Sequence, residues 1–139
     1  MNEKKKFIAI EGPIGVGKTT LARRLADNFK ADLMLEKVAD NPFLERFYSN
    51  PQDLALPTQL SFLMQRVAQL EELQQNGFEA DICIADFLVE KDRLFAKNTL
   101  AEEEMSLYDD IHGRVLRSVP VPDLVIYLQA PVDVLMKRI

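Results

Sequence analysis

The chain has 139 residues, 47% apolar and 28% charged, with a formal net charge of −5. That composition fills one domain-sized core, excludes a disordered polyampholyte and leaves no general nucleic-acid-binding surface. A single cysteine, Cys83, and a single histidine, His112, exclude an internal disulfide and a multi-cysteine zinc site. No apolar run approaches the roughly 20 residues of a membrane helix. The lysines at the start precede only a short apolar stretch, too short for a secretory signal, so a cytoplasmic protein without a membrane partner is expected.

In chain order, Phe7-Ile8-Ala9-Ile10 is the first uncharged run of strand length. Residues 19–29 follow as an amphipathic helix with Leu21, Leu25 and Phe29 at spacing four. Leu33-Met34-Leu35 is the second run. Residues 53–75 read as the longest helix, with Leu56, Leu60, Leu63, Val67 and Leu70 as its core stripe or as a helix–helix dimer contact. Ile82-Cys83-Ile84-Ala85 is the third run. A helix over 101–119 then begins with three glutamates and ends basic, as the helix dipole favours. Leu124-Val125-Ile126-Tyr127-Leu128 is the fourth run, and residues 132–139 start a last helix. Continuous apolar runs without alternation predict strands buried on both faces of a parallel sheet. The alternation of strands and helices predicts a single α/β domain over 1–139. It stops without a C-cap or turn signal, so a C-terminally incomplete domain is expected.

Gly12-Pro13-Ile14-Gly15-Val16-Gly17-Lys18-Thr19 matches the phosphate-loop pattern G-x-x-x-x-G-K-[ST], between an apolar strand and an amphipathic helix. Glycines let the backbone wrap a phosphate with its N–H groups inward, and the helix N-terminus adds positive potential. Lys18 supplies a point charge and Thr19 a hydroxyl for Mg²⁺. A glycine-rich turn is the bland alternative. The flanking elements favour a nucleotide site in a P-loop NTPase-type three-layer sandwich with a central parallel sheet.

Phosphoryl transfer is mostly positioning and charge neutralisation, and it calls for a metal-orienting carboxylate and often a base. Asp86 stands just past the third run and Glu36 just past the second, at the rim where open α/β sheets meet their ligands. Either alone could be a solvated loop carboxylate. Glu11, before the loop, reads as a brace and is not counted. On the long helix Gln59, Phe62 and Arg66 share one face at spacings three and four. An amide, a ring and a guanidinium in that order could read and stack a nucleobase; a partly exposed polar stripe is the alternative.

Taken together, several segments resemble the deoxynucleoside kinase family, most closely its bacterial deoxyadenosine/deoxyguanosine kinase branch. They are the loop from Glu11 to Thr20, Glu36, Asn41-Pro42-Phe43-Leu44, Tyr48, Gln59, Arg66, the stretch from Asp86 to Ala96, and Pro122-Asp123-Leu124-Val125-Ile126-Tyr127-Leu128. The resemblance implies ATP-dependent, Mg²⁺-assisted phosphorylation of a small-molecule deoxynucleoside at its 5′-hydroxyl, and a homodimer. Deoxyadenosine is the first expectation, with deoxyguanosine and deoxycytidine as the other acceptors. Gly12, Pro13, Ile14, Gly15, Val16, Gly17, Lys18, Thr19 and Thr20 would hold the donor phosphates, with Thr19 and Asp86 on the metal. Glu36 would be the base, and Tyr48 would meet the sugar 3′-hydroxyl. Gln59, Arg66 and Asp92 would read the base beside Phe62 and Phe95.

Two departures stand out. Many family members carry Glu-Arg-Ser where this chain has Asp86-Phe87-Leu88, so the phosphate-holding arginine is absent and Lys91 or Arg93 is expected in its place. The family also continues into an arginine-rich lid and a fifth strand. Two rivals remain: another P-loop small-molecule or nucleotide kinase, and a non-catalytic nucleotide-binding module.

Overall fold

The first apolar run forms β1 (Lys6–Glu11), whose buried side chains Phe7, Ala9 and Ile10 sit at the centre of a four-stranded parallel sheet. A computed structural model gives the fold and describes residues 5–13, 15–37 and 41–138. Ile14 and the last residue of the expected final helix lie outside them. The other strands are β2 (Asp32–Met34), β3 (Ile82–Ala85) and β4 (Leu124–Tyr127), in the order β2-β3-β1-β4. The register pairs Ala9 with Ala85 and with Val125. The helices are α1 (Lys18–Phe29), α2 (Leu44–Ser49), α3 (Pro51–Asn76), α4 (Asp92–Thr99), α5 (Glu102–Val115) and α6 (Val132–Arg138), with 3₁₀ turns at Val89–Lys91 and Leu116–Ser118. This is the expected α/β architecture with a parallel sheet.

Contacts divide the chain into two compact units. The first joins the chain up to Glu36 with Asn76–Leu88 and the part from Val121 onward, so it contains the whole sheet, α1 and α6. Its core gathers Ile10, Ala22 and Ile84, with Leu21, Leu25 and Ile126 packed around them. The buried face of α1 therefore centres on Ala22 and Ala26, while Leu21 and Leu25 are half-buried and Phe29 is exposed. Alanine brings a helix backbone close to a sheet, a stronger requirement here than the bulk of the spacing-four leucines.

Burial on both faces holds for β1 and β3 but not for β4, where Leu124, Val125 and Tyr127 are exposed. β4 pairs with β1 on one side and ends the described sheet on the other, so its apolar run marks an outer strand rather than a central one. The three-residue β2, at the opposite edge, has no fully buried residue.

The second unit comprises Lys37–Gln75 and Val89–Pro120, and so holds α2, nearly all of α3, α4 and α5. Its longest helix starts at Pro51, two residues before the expected position, because proline at a first helical position gives up an N–H that has no partner there anyway. Its buried stripe runs through Ala55, Gln59, Leu63, Val67 and Leu70, whereas Leu56 and Leu60 are only half-buried. The expected leucine stripe is thus corrected in its first half, where Thr58 and Gln59 face inward instead. Asn41 holds the approach to this helix. Its side-chain amide donates to the Thr58 carbonyl at 3.0 Å, and its oxygen accepts from the Phe43 N–H at 2.9 Å.

Helix α5 begins as the glutamates suggested, with the Glu104 carboxylate accepting the Ala101 N–H at 3.1 Å. It ends at Val115 rather than Val119. Val119 precedes Pro120 and is extended (φ −101°, ψ 150°), as a residue before proline tends to be.

Candidate active site

Strand β1 delivers the chain to the loop. The connection after β1 leads to β2 on one side of the sheet, and the connection after β3 leads to β4 on the other. The carboxyl ends of these neighbouring strands are therefore a topological switch point, where open α/β sheets place ligands. Glu11 ends β1, and its carboxylate accepts the Gly12 N–H at 2.5 Å, which gives it the bracing position. A Cβ on Gly12 would lie 2.7 Å from the Leu128 carbonyl and 2.9 Å from Val16 Cγ1, so the loop begins where only glycine fits. Gly17 has φ 104° and turns the chain into α1, a conformation that side chains other than glycine's resist.

Around this loop lies a cleft of about 680 Å³, lined by residues 15–21 together with Arg24, Leu128 and Arg138. The Lys18 ammonium donates to the Gly12 carbonyl at 2.9 Å, so it sits across the mouth of the loop. The Thr19 hydroxyl donates to Asp86 Oδ2 at 2.6 Å. The other oxygen of the same carboxylate, Oδ1, accepts the Glu36 N–H at 2.7 Å, and the Asp86 N–H reaches the Met34 carbonyl at 3.3 Å. One buried carboxylate thus joins the loop hydroxyl to the strand end that carries Glu36. Thr19 and Asp86 form an adjacent pair of hard oxygen ligands, the donor type that suits Mg²⁺, which keeps several waters and takes few protein ligands. No group of three or more His, Cys, Asp or Glu side chains that could hold a metal occurs among the described residues, so Thr19 and Asp86 are the side chains that would hold such an ion here.

In the second unit, α3 and α4 assemble most of the expected base-reading set. Arg66 Nη1 meets Asp92 Oδ1 at 2.9 Å with both side chains largely buried. The Arg66 guanidinium also lies over the Phe62 ring at 5.2 Å. Gln59 is 8% exposed, on the inward stripe of the same helix. Of the expected polar stripe, Gln59 is thus buried, while Phe62 and Arg66 are half-buried. Two other candidates are not drawn into this cluster. Tyr48 is 75% exposed, with its ring against Phe47, and Phe95 is 45% exposed, with the Lys91 ammonium 5.4 Å above it.

The expected replacement of the absent arginine by Arg93 is corrected. Its guanidinium forks onto Asp109, with Nε to Oδ1 at 2.8 Å and Nη2 to Oδ2 at 3.1 Å. Phe87 is buried. The arginines that line the loop cleft are Arg24 and Arg138, and the latter reaches the Gly15 and Val16 carbonyls at 3.5 and 3.4 Å. Sequence reasoning passed over both. The available signal was a basic residue nearly two turns into the helix after the loop, and another at the end of the helix after β4.

Comparison with known proteins shows the family. The deoxynucleoside kinase family profile matches residues 8–139. The chain is 37% identical to a deoxyguanosine kinase of Bacillus subtilis over 134 residues, which is 96% of this chain and 65% of that protein. A deoxyadenosine/deoxycytidine kinase of the same organism is 29% identical over 98% of the chain and 65% of its own length. Among solved structures, a deoxyadenosine kinase from M. mycoides with bound dATP superposes with a TM-score of 0.80 at 26% identity, covering 95% of this chain and 69% of that one. The chain thus spans about two thirds of the length of these curated relatives.

Proposed function

Because the chain belongs to the deoxynucleoside kinase family, we propose that it takes part in ATP-dependent transfer of a phosphoryl group to the 5′-hydroxyl of a deoxynucleoside whose base carries an exocyclic amine. The observation that carries this reading is the double engagement of Asp86, with the Thr19 hydroxyl on one oxygen and the Glu36 N–H on the other. It ties a phosphate-side hydroxyl and the strand end that carries the Glu36 carboxyl to one buried carboxylate, which is the minimum a kinase must hold in place.

In this mechanism the backbone of residues 12–19 cradles the donor phosphates, and Lys18 neutralises charge on them. Thr19 and Asp86 would hold a magnesium ion, which when bound would supply further charge neutralisation. Glu36 accepts the proton of the 5′-hydroxyl as its oxygen forms the new bond to phosphorus, and the bond to the nucleoside diphosphate leaving group breaks. Arg66 and Asp92 meet the base, the guanidinium giving hydrogen bonds and the carboxylate accepting them from the exocyclic amine. Thymine lacks that amine. Phe62 and Gln59 complete the base contacts, Tyr48 the sugar contact, and Phe95 a ring beside the base.

The test is a phosphorylation assay of the full chain with ATP and Mg²⁺ on deoxyadenosine, deoxyguanosine, deoxycytidine and thymidine. Monophosphate formed from an amine-bearing nucleoside, lost in Glu36→Gln, is the expected result. Nucleotide binding without turnover of any of the four would sink the reading in favour of a non-catalytic module, and preference for a nucleoside monophosphate acceptor would favour a nucleotide kinase.

A further inference from the structure

The loop cleft differs in charge from the chain that forms it. The chain has a formal net charge of −5, yet the charged residues lining the cleft are Lys18, Arg24 and Arg138, with no carboxylate beside them. All three belong to the first unit. A concave site lined by one sign of charge focuses its field and draws in ligands of the other sign. Two of these cations already meet the loop backbone, Lys18 at the Gly12 carbonyl and Arg138 at the Gly15 and Val16 carbonyls. Arg24 has no hydrogen bond or ion pair among the described residues.

Helical register turns Arg24 toward the cleft. It lies seven residues after Gly17, four after Thr20 and three after Leu21, and each of these lines the cleft as well. Steps of three, four and seven keep residues on one helix face. Side chains on a helix lean toward its N-terminus, so the guanidinium leans back toward the loop. Arg23, its neighbour, is exposed and does not line the cleft. Thr19, whose hydroxyl donates to Asp86, precedes Arg24 by five residues and so points about 140° away from it around the helix. A polyphosphate held by the loop therefore has Thr19 and Asp86 on one side and Arg24 on another.

We propose that Arg24 binds the donor phosphate nearest the ribose, and so sets the affinity of the cleft for a nucleoside triphosphate rather than the rate of transfer. The inference rests on the reading in which the loop holds that donor and its terminal phosphoryl group passes to an acceptor beside Glu36. Charge moves during transfer on the terminal group and on the oxygen that leaves it. The phosphate nearest the ribose keeps its charge throughout. A guanidinium forked onto its oxygens therefore holds ground state and transition state alike, which is uniform binding.

The experiment compares Arg24→Ala with Arg23→Ala, which removes the same charge one residue away. Both side chains are exposed and alanine suits a helix interior, so the fold is kept, as urea unfolding verifies. In titration calorimetry on the full chain, Arg24→Ala is expected to weaken ATP and inorganic tripolyphosphate roughly tenfold each, with a shallower dependence on salt. Arg23→Ala should stay near the parent, and Arg24→Lys, which keeps the charge and loses the fork, should recover part of the affinity. In turnover, KM for ATP is expected to rise while kcat holds. Equal affinities for the two alanine variants would overturn the role of Arg24. So would a fall in kcat with KM unchanged, which places the guanidinium at the transferred group, or a loss for ATP alone, which places it on ribose or base. Binding is read without turnover, so the two readings fail separately. A chain that binds ATP through Arg24 and phosphorylates no deoxynucleoside sinks the kinase reading and leaves the contact standing, whereas a chain that binds neither ligand sinks both.

Discussion

At Glu36 a change from carboxylate to amide preserves shape and removes basicity. Glu36→Gln is expected to lower kcat by roughly 10² to 10⁴ while nucleotide binding, followed by isothermal titration, stays intact. Arg66 and Asp92 behave as a unit because each buries the other's charge. Arg66→Ala and Asp92→Ala should each weaken nucleoside use by about 1–3 kcal/mol or more, and the double variant should lose less than the sum; strict additivity in kcat/KM would separate the two residues. His112 gives a pH signature. Burial, the largest influence, holds its imidazole below the ordinary value of 6.5, with Arg93 acting in the same sense and Asp109 and Glu90 opposing. The unfolded chain therefore takes up this proton first as pH falls below 6.5, so the contribution to stability is complete above that value and declines below it. His112→Gln should flatten the fall of Tm across that acid window, and an unaltered slope would show that other groups set it.

Elements differ in how plainly they are written in the chain. β3 is legible to the residue because it is central, with Cys83, Ile84 and Ala85 buried and Ile82 half-buried. α4 is not, since only Asp92 and Ala96 of its eight residues are buried and no periodic apolar face exists to be read. α2, with no buried residue, is hidden for the same reason. The glycine-rich turn into α1 was legible because its pattern puts particular residues at fixed steps, as Gly12 and Gly17 show. The Asp92 pairing was legible only through likeness to a family, because residues 66 and 92 are brought together by tertiary packing that no local pattern encodes. Packing at this scale is testable. Ala22→Leu forces a larger side chain against Ile10 and Ile84 and should cost about 1–3 kcal/mol. Leu63→Ala opens a cavity in the α3 stripe and should cost about 2–5 kcal/mol. Urea unfolding measures both.

Over the whole chain, no helix among the described residues is long and apolar enough to cross a membrane. Exposed apolar residues gather on β4, where Leu124, Val125 and Tyr127 stand at the edge of the described sheet. Such an edge invites pairing between chains. The 139-residue polypeptide should therefore self-associate with rising concentration, and Val125→Lys should reduce this in sedimentation velocity; indifference to the substitution would place association elsewhere, on helices as the family resemblance implies for a homodimer. Asp86 has a kinetic consequence as well. Its two oxygens serve the loop hydroxyl and the Glu36 backbone separately, so drawing one oxygen toward a cation alters how firmly the other holds the strand end. On the proposed function, donor and acceptor are then expected to bind cooperatively, each shifting the affinity for the other by the same factor, and Asp86→Asn is expected to leave two ligands that bind independently in titration calorimetry.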